Sequence, residues 1–151
     1  MIDYSKLQIE IVKNYCKGKK IINFYSIGNG YVILTDPYGD MFIKIPSDKF
    51  ILDVNKFVKR ESKNFEDLFI TTDKAEILTD TLLSRFSKSF NKTYRVFIYQ
   101  EKYFYIDEKL LEIIGYNPST YRVEYDINKK YLFLLFYIDD KLIGGIAPAI
   151  L

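Results

Sequence analysis

The sequence predicts a single α+β domain over residues 1–151, built mostly of antiparallel sheet with two or three short helices. Three observations lead to this class. The chain has 151 residues, of which 48% are hydrophobic and 28% charged, as expected for one folded domain with its own core. Apolar residues recur with helical spacing near residue 7 and near residue 111. Short β-branched and aromatic runs, separated by turn residues, fill the first and last thirds.

The first segment is predicted to be a helix that begins near residue 4. Asp3 or Ser5 can cap its start, and Gly18 can end it because glycine readily adopts positive φ. The apolar residues that fall on one helical face are Tyr4, Leu7, Ile11, Val12 and Tyr15.

Three strands are predicted to follow, over residues 20–26, 31–35 and 41–45. The segments between them contain Gly, Asn, Asp and Pro, which are the residues that tight turns favour. Residues 3–46 therefore read as one helix followed by three strands.

The last third of the chain repeats this order within residues 107–148. Asp107 is placed to cap a short helix, and Gly115 is placed to end it. The strands predicted after it are 120–127, 131–138 and 142–148. The two segments share a pattern rather than residues, which predicts an internal helix–βββ pseudo-repeat.

The middle of the chain is less regular. Residues 94–99 and 103–106 predict an aromatic hairpin. Residues 67–86 fit a strand as well as a helix, and both interpretations stay open. From Asp53 onward, the apolar positions suggest one or two helical turns.

The residue types that are missing exclude several kinds of chemistry. The chain has no histidine and one cysteine, Cys16. Ser-His-Asp and Cys-His catalysis, histidine-ligated metals and an intramolecular disulfide are therefore excluded. We expect a protein that is not an enzyme and that uses no cofactor and no metal.

The net charge and the hydropathy of the chain limit which partners and which cellular location it can have. The net charge of +2 is too small to indicate a polyanionic partner from the whole molecule. The N-terminus lacks the pattern of a signal peptide, and the longest apolar run, at 131–138, is too short to cross a bilayer. The sequence thus predicts a cytoplasmic protein without membrane contact.

One cluster of basic residues could contact nucleic acid. If 54–63 is helical, one face carries Lys56, Lys59, Arg60 and Lys63. Such a stripe could meet the phosphate backbone of duplex DNA. The alternative is an ordinary solvated face opposite apolar positions of the same helix.

The C-terminal region is almost entirely apolar. The run 131–138 does not alternate, so it is either a central strand or part of an edge that pairs with another chain. The central strand is the favoured interpretation. On the other interpretation, the residues at a protein interface are Ile143, Ile146 and Ile150, and a homo-oligomer is one form it could take.

Two further patterns have a functional and an ordinary interpretation. Thr93–Val96 and Thr120–Val123 interleave tyrosine with arginine, which could stack single-stranded nucleic acid, although packing of ordinary strands is favoured. The carboxylate pairs could hold a metal, but local roles in turns and helix caps are favoured. These pairs are Asp36 with Asp40, Asp107 with Glu108, and Asp139 with Asp140.

Three short segments resemble parts of a bacterial DNA sliding clamp. The segment from Leu34-Thr35-Asp36 to Ile43-Lys44-Ile45-Pro46 resembles a strand–turn–strand of that family, and Gly145–Leu151 resembles its last strand. Phe50–Asp53 looks like the stretch leading into an inner helix. Such a domain is built from two helix–βββ units, so the resemblance implies that fold and DNA contact through the basic stripe. The arginine of the family's turn is missing after Asp36.

Together these observations predict a non-catalytic domain that binds a protein partner. Its small size and a composition typical of AT-rich coding suggest a mobile-element or phage-type protein that acts on a nucleic-acid machine. The alternatives are a clamp-like protein that contacts DNA through the basic stripe, and an unrecognised enzyme that uses carboxylates.

Overall fold

The computed structural model describes residues 2–15, 23–27, 30–36, 38–52, 58–59, 75–125 and 133–149. Its backbone contacts divide the chain into two units, Met1–Ile70 and Thr71–Leu151. Both units contain helix and sheet. The α+β class with mostly antiparallel sheet is confirmed.

The first unit follows the predicted order of elements. It contains helix α1 (Tyr4–Tyr15), strands β1 (Asn23–Ile27), β2 (Tyr31–Thr35) and β3 (Met41–Pro46), a 3-10 helix (Ser47–Lys49) and strand β4 (Val58–Lys59). Strands β1, β2 and β3 form an antiparallel meander, and β4 pairs with β1 in parallel.

Helix α1 begins after Asp3, as expected. The side chain of Asp3 accepts a hydrogen bond from the backbone N–H of Lys6 at 3.0 Å, which satisfies one of the free N–H groups of the first turn. The buried face of the helix consists of Leu7, Gln8 and Ile11. Position 8 is polar, so periodicity did not place it in the core.

The second unit has the larger share of strands. It contains β5 (Glu76–Ile77), β6 (Thr79–Ser87), β7 (Lys92–Tyr99), β8 (Lys102–Asp107), helix α2 (Glu108–Ile113), β9 (Arg122–Tyr125), β10 (Leu134–Ile138) and β11 (Lys141–Ile146). Strands β5, β9, β10 and β11 pair in that order, and every pair is antiparallel. A separate three-stranded antiparallel sheet has the order β6-β7-β8.

The predicted repeat of helix and three strands is present as an order of elements. Helix α1 precedes the meander β1-β2-β3, and helix α2 precedes the meander β9-β10-β11. Asp107 caps α2 by accepting from the backbone N–H of Lys109 at 2.9 Å, and Gly115 adopts a φ of 63°. Both features were predicted.

Strand β10 lies between β9 and β11, so the favoured central-strand interpretation of this run is confirmed for its described part. Three successive side chains of β10, from Leu134 to Phe136, are buried. A strand covered on both faces has this pattern.

The segment left open between helix and strand, 67–86, forms strands β5 and β6 in its described part. Residues 50–52 form neither helix nor strand. Neither α1 nor α2 has the length and apolar character that a membrane-crossing helix requires.

Candidate functional site

The most unusual surface among the described residues lies on strand β6 and the turn that follows it. Four large apolar side chains there are more than half exposed: Leu82 at 64%, Leu83 at 66%, Phe86 at 57% and Phe90 at 56%. We call these four residues the β6 apolar surface. Single exposed apolar residues are common, but four within nine positions of one hairpin indicate a contact site.

A β-bulge brings the two leucines to the surface. Asp80 pairs with Phe97 and Ser84 pairs with Arg95, so residues 81–83 lie opposite the single residue Val96. Bulges of this kind redirect side chains and are found at sheet edges and near functional sites. Here the bulge removes Leu82 and Leu83 from the regular alternation of the strand.

The carboxylate of Asp80 holds the bulge in place. Its Oδ1 accepts from Nε of Arg95 at 2.8 Å and from the backbone N–H of Leu82 at 2.8 Å. Its Oδ2 accepts from the hydroxyl group of Tyr116 at 2.7 Å. The side chain of Asp80 is only 10% exposed and that of Arg95 is 21% exposed, so water weakens this ion pair little.

The pKa shifts in this network favour an ionised Asp80, a charged Arg95 and a neutral Tyr116. Burial alone raises the pKa of Asp80, but the hydrogen bonds from Arg95, Leu82 and Tyr116 outweigh it and hold that pKa below its usual value. The bond to Asp80 raises the pKa of Arg95. Burial and the bond to Asp80 raise the pKa of Tyr116, so its proton is firmly held.

The hydroxyl group of Thr81 also stabilises the bulge, through two hydrogen bonds to the backbone. It donates to the carbonyl of Val96 at 2.7 Å and accepts from the backbone N–H of Leu83 at 3.2 Å. Side-chain oxygens therefore satisfy the N–H groups of both exposed leucines.

The backbone of Leu82 is strained. Its φ is 62°, in the left-handed region that residues with a Cβ atom avoid. A left-handed residue of this kind costs about 1–2 kcal/mol. Strained backbone of this sort persists where surrounding contacts fix it, and it is frequent at functional sites.

Tyr116 connects the bulge to the core of the second unit. Its ring packs edge-on against Phe97 and Phe136, with centroid distances of 5.8 and 5.7 Å. Phe97 and Phe136 are fully buried. The exposed leucines are thus supported by a rigid aromatic core.

The hairpin that carries the β6 apolar surface is itself basic, although carboxylates from outside residues 81–100 contact it, including that of Glu108, which accepts from the hydroxyl group of Ser84. Residues 81–100 contain four basic residues and no acidic one. Arg95 is paired with Asp80, and Nζ of Lys92 lies 3.2 Å from a carboxylate oxygen of Asp107. The remaining two, Arg85 and Lys88, are exposed and have no carboxylate within ion-pair distance among the described residues.

Of the four residues in the predicted basic stripe, Lys59 alone lies within the described residues. Lys56, Arg60 and Lys63 lie outside the described residues, and only the backbone of Lys59 is described. Lys59 belongs to strand β4, so the helical condition on which the stripe depended is not met at residues 58–59. Pairing with β1 gives this segment an extended backbone that its apolar spacing did not indicate. DNA contact by these residues stays a prediction.

The predicted interface residues are core residues in the described part of the chain. Ile143 and Ile146 have no exposed surface, and Ile150 lies outside the described residues. Every residue of strand β11 from Leu142 to Ile146 is buried. Ile143 and Ile146 are therefore not available as a surface in this conformation.

Several residues of the predicted carboxylate pairs have the expected local roles, but Glu108 accepts a hydrogen bond from the hydroxyl group of Ser84 on β6, and Asp140 also pairs with Arg122. Asp107 caps α2, and Asp139 and Asp140 occupy the positive-φ turn between β10 and β11. Asp36 is fully buried; its Oδ1 accepts from the backbone N–H of Met41 at 2.9 Å, while its Oδ2 has no hydrogen-bond partner among the residues that the structure describes. Burial, with a contribution from the charge of Asp40, raises the pKa of Asp36.

The favoured interpretation of packing within a strand is confirmed for Tyr94 of β7, whereas Tyr121 precedes β9 and its ring packs against Tyr116 and Phe136. Tyr94 is 4% exposed, and the hydroxyl group of Tyr121 donates to the carbonyl of Ile114. Across the described ranges, no three Cys, Asp, Glu or His side chains come together in a way that could hold a metal ion.

No protein-family model, curated protein or solved structure gives a match to this chain. The resemblance to a sliding clamp therefore stays a prediction, as does the absence of catalysis.

Sequence reasoning missed the β6 apolar surface. Leu82 and Phe86 fit a helical face as well as a strand, so they were counted toward secondary structure and not as a surface. The available signal was the absence of acidic residues over 81–100 next to two adjacent leucines and two phenylalanines.

Proposed function

We propose that this chain is a protein-binding domain that contacts its partner through the β6 apolar surface. The observation that carries the proposal is the exposed pair Leu82 and Leu83 in a strained bulge that the largely buried carboxylate of Asp80 holds.

Two physical arguments support a binding role. Exposed apolar side chains are unfavourable in water, and a partner that covers them gains about 25 cal/mol per Å² of buried apolar surface. A contact site fixed before binding also loses less conformational entropy when the partner arrives. The network around Asp80 provides this fixed geometry.

The test compares the intact chain with the double variant Leu82→Ser and Leu83→Ser. Each purified protein is immobilised and exposed to extract from cells that express the chain, and bound proteins are quantified. The matched control is Tyr38→Ser with Ile51→Ser, which removes two other exposed apolar side chains (80% and 54% exposed).

We expect a bound protein that the control variant retains and the leucine variant loses. That protein is then purified and its direct binding to both variants measured by calorimetry. If the leucine variant, folded by circular dichroism, binds every partner as well as the intact chain does, the proposal is wrong.

A further inference from the structure

The outer edge of β6 can accept another strand. Residues 84–87 pair continuously with β7, from Ser84 with Arg95 to Ser87 with Lys92. Among the described residues, β6 pairs with β7 alone. Backbone N–H and C=O groups on a free strand edge are a ready site for an extended peptide.

The two faces of this edge differ in chemistry. Arg85 pairs with Tyr94 and reaches Tyr105, to whose hydroxyl group its Nη1 donates at 3.2 Å. Phe86, the next residue, points to the opposite face because side chains alternate along a strand. Arg85 therefore lies on one face and Phe86 on the other, where Ser84 also lies and donates to the carboxylate of Glu108. Lys88 lies beyond the strand, in the turn that follows it.

Two cations near this edge, Arg85 and Lys88, have no carboxylate within ion-pair distance among the described residues, whereas the neighbouring Lys92 and Arg95 both have one. The carboxylate of Glu108 is also at this edge, where it accepts from the hydroxyl group of Ser84. An approaching carboxylate on the face of Arg85 could form charge-assisted hydrogen bonds, which are stronger than neutral ones.

From these observations, and resting on the proposed function, we propose the chemistry of the partner. It supplies an extended segment in which acidic and apolar residues alternate, and this segment adds to β6 along residues 84–87. Its carboxylates lie on the face of Arg85, with Lys88 in the turn just beyond the strand, and its apolar side chains cover Phe86.

A peptide explains more of this surface than a nucleic acid does. Phosphates could pair with Arg85 and Lys88, and bases could stack on exposed phenylalanines. A nucleic acid, however, would leave without a role the backbone edge of β6, which has no second partner strand among the described residues. Strand addition uses this backbone edge together with Arg85 and Phe86.

The test uses a fluorescent peptide of about seven residues in which Glu and Val alternate. Its binding to the full chain is followed by anisotropy, and the contacted residues by amide chemical shifts. We expect saturable binding that weakens with salt, with shifts centred on residues 84–87. A peptide that leaves the amides of 84–87 unshifted overturns the proposal.

Two changes separate the contributions of charge and backbone. Replacing Arg85 and Lys88 by Glu should weaken binding about tenfold or more, since each loses an attractive contact and gains a repulsive one. The matched control reverses Lys6 and Lys13, exposed on α1, and should bind as the intact chain does. A Glu–Val peptide with N-methyl groups on alternate residues cannot complete the ladder and should not bind.

Other occupants would appear as distinct outcomes. Binding of single-stranded oligothymidine that Phe86→Ala with Phe90→Ala abolishes would overturn the peptide in favour of a nucleic acid. Binding of phosphatidylglycerol vesicles instead of the peptide would indicate a membrane surface. Equal binding of the N-methylated peptide would exclude strand addition.

Failure of this inference is distinguishable from failure of the proposed function. If the leucine variant loses a protein partner but the Glu–Val peptide does not bind, the binding surface stands and the assigned partner chemistry is wrong. If partner binding is also unchanged in the leucine variant, both are wrong.

Discussion

The hydroxyl group of Tyr116 donates to Oδ2 of Asp80 at 2.7 Å, joining two residues that lie 36 positions apart in the chain. The same carboxylate accepts from Arg95 and from the backbone of Leu82. A single, largely buried side chain thus connects the aromatic core of the second unit to the bulge that exposes two leucines.

Removing the Tyr116 hydroxyl should destabilise the protein. In Tyr116→Phe, a nearly buried carboxylate oxygen loses its donor, and we expect the free energy of unfolding to fall by about 1–3 kcal/mol. Urea denaturation measures the change. Tyr103→Phe is the control, since Tyr103 is 56% exposed and should change stability by less than about 0.5 kcal/mol. Equal effects of the two variants would contradict the role of this bond.

The stabilisation by Asp80 should disappear in acid. Its folded pKa lies below the ordinary value of 3.8, so the ionised form stabilises the fold above pH 3.8 and this contribution is lost as the pH falls through the folded pKa. Asp80→Asn should be less stable than the intact chain at neutral pH and should approach it in acid. A difference in unfolding free energy that stays constant between neutral pH and strong acid would sink this prediction.

Asp36 should have the opposite pH dependence. Burial raises its folded pKa above 3.8, so the ionised form is unfavourable in the fold at neutral pH, and this penalty is relieved as the pH falls through the raised pKa toward 3.8. The stability of the intact chain relative to Asp36→Asn should therefore rise in acid. Chemical denaturation of both proteins over a pH series measures this, and a relative stability that falls in acid would be the contrary result.

Leu82→Gly should separate stability from binding. Glycine adopts a φ of 62° without strain, so we expect stability to stay level or rise by up to about 1 kcal/mol while binding of the partner weakens. Leu83→Gly is the control because Leu83 is not among the residues with positive φ, and it should lose about 0.5–1 kcal/mol. Thermal unfolding compares the two; a greater loss at Leu82 than at Leu83 would argue against strain.

The side chain of Gln8 should stabilise the first unit against unfolding. Its side chain is fully buried; Nε2 donates to the carbonyl of Lys49 at 2.8 Å, and Oε1 accepts from the backbone N–H of Ile51 at 2.9 Å. Gln8→Met keeps the shape but leaves both backbone groups unpaired, which should cost about 1–3 kcal/mol in unfolding free energy. The exposed Lys13→Met on the same helix is the control, and a similar loss there would contradict the prediction.

Local sequence signals predicted most of the described elements. The cap at Asp107, the turn glycine at 115 and the strand 31–35 were found because each depends on residues within a few positions. Strand β6 could not be decided in this way. Its bulge interrupts the alternation, so Leu82 and Phe86 also fit a helical period.

The candidate site could not be predicted from sequence for a similar reason. Asp80, Arg95 and Tyr116 each have an ordinary local interpretation, and they become one network only through the register of β6 on β7 and the fold that places Tyr116 beside them. The predicted interface at Ile143 and Ile146 rested on hydrophobicity, which does not distinguish a buried strand from an exposed one.

The sequence by itself determined the α+β class, the twofold order of helix and three strands, and the absence of histidine and disulfide chemistry, because these follow from residue type and short-range periodicity. Only the tertiary structure decided which apolar residues are exposed and which carboxylates are buried. Burial depends on strand register and on packing between residues distant in the chain. Asp36 and Asp80 are the clearest case, since the same residue type has its pKa raised at one position and lowered at the other by different surroundings.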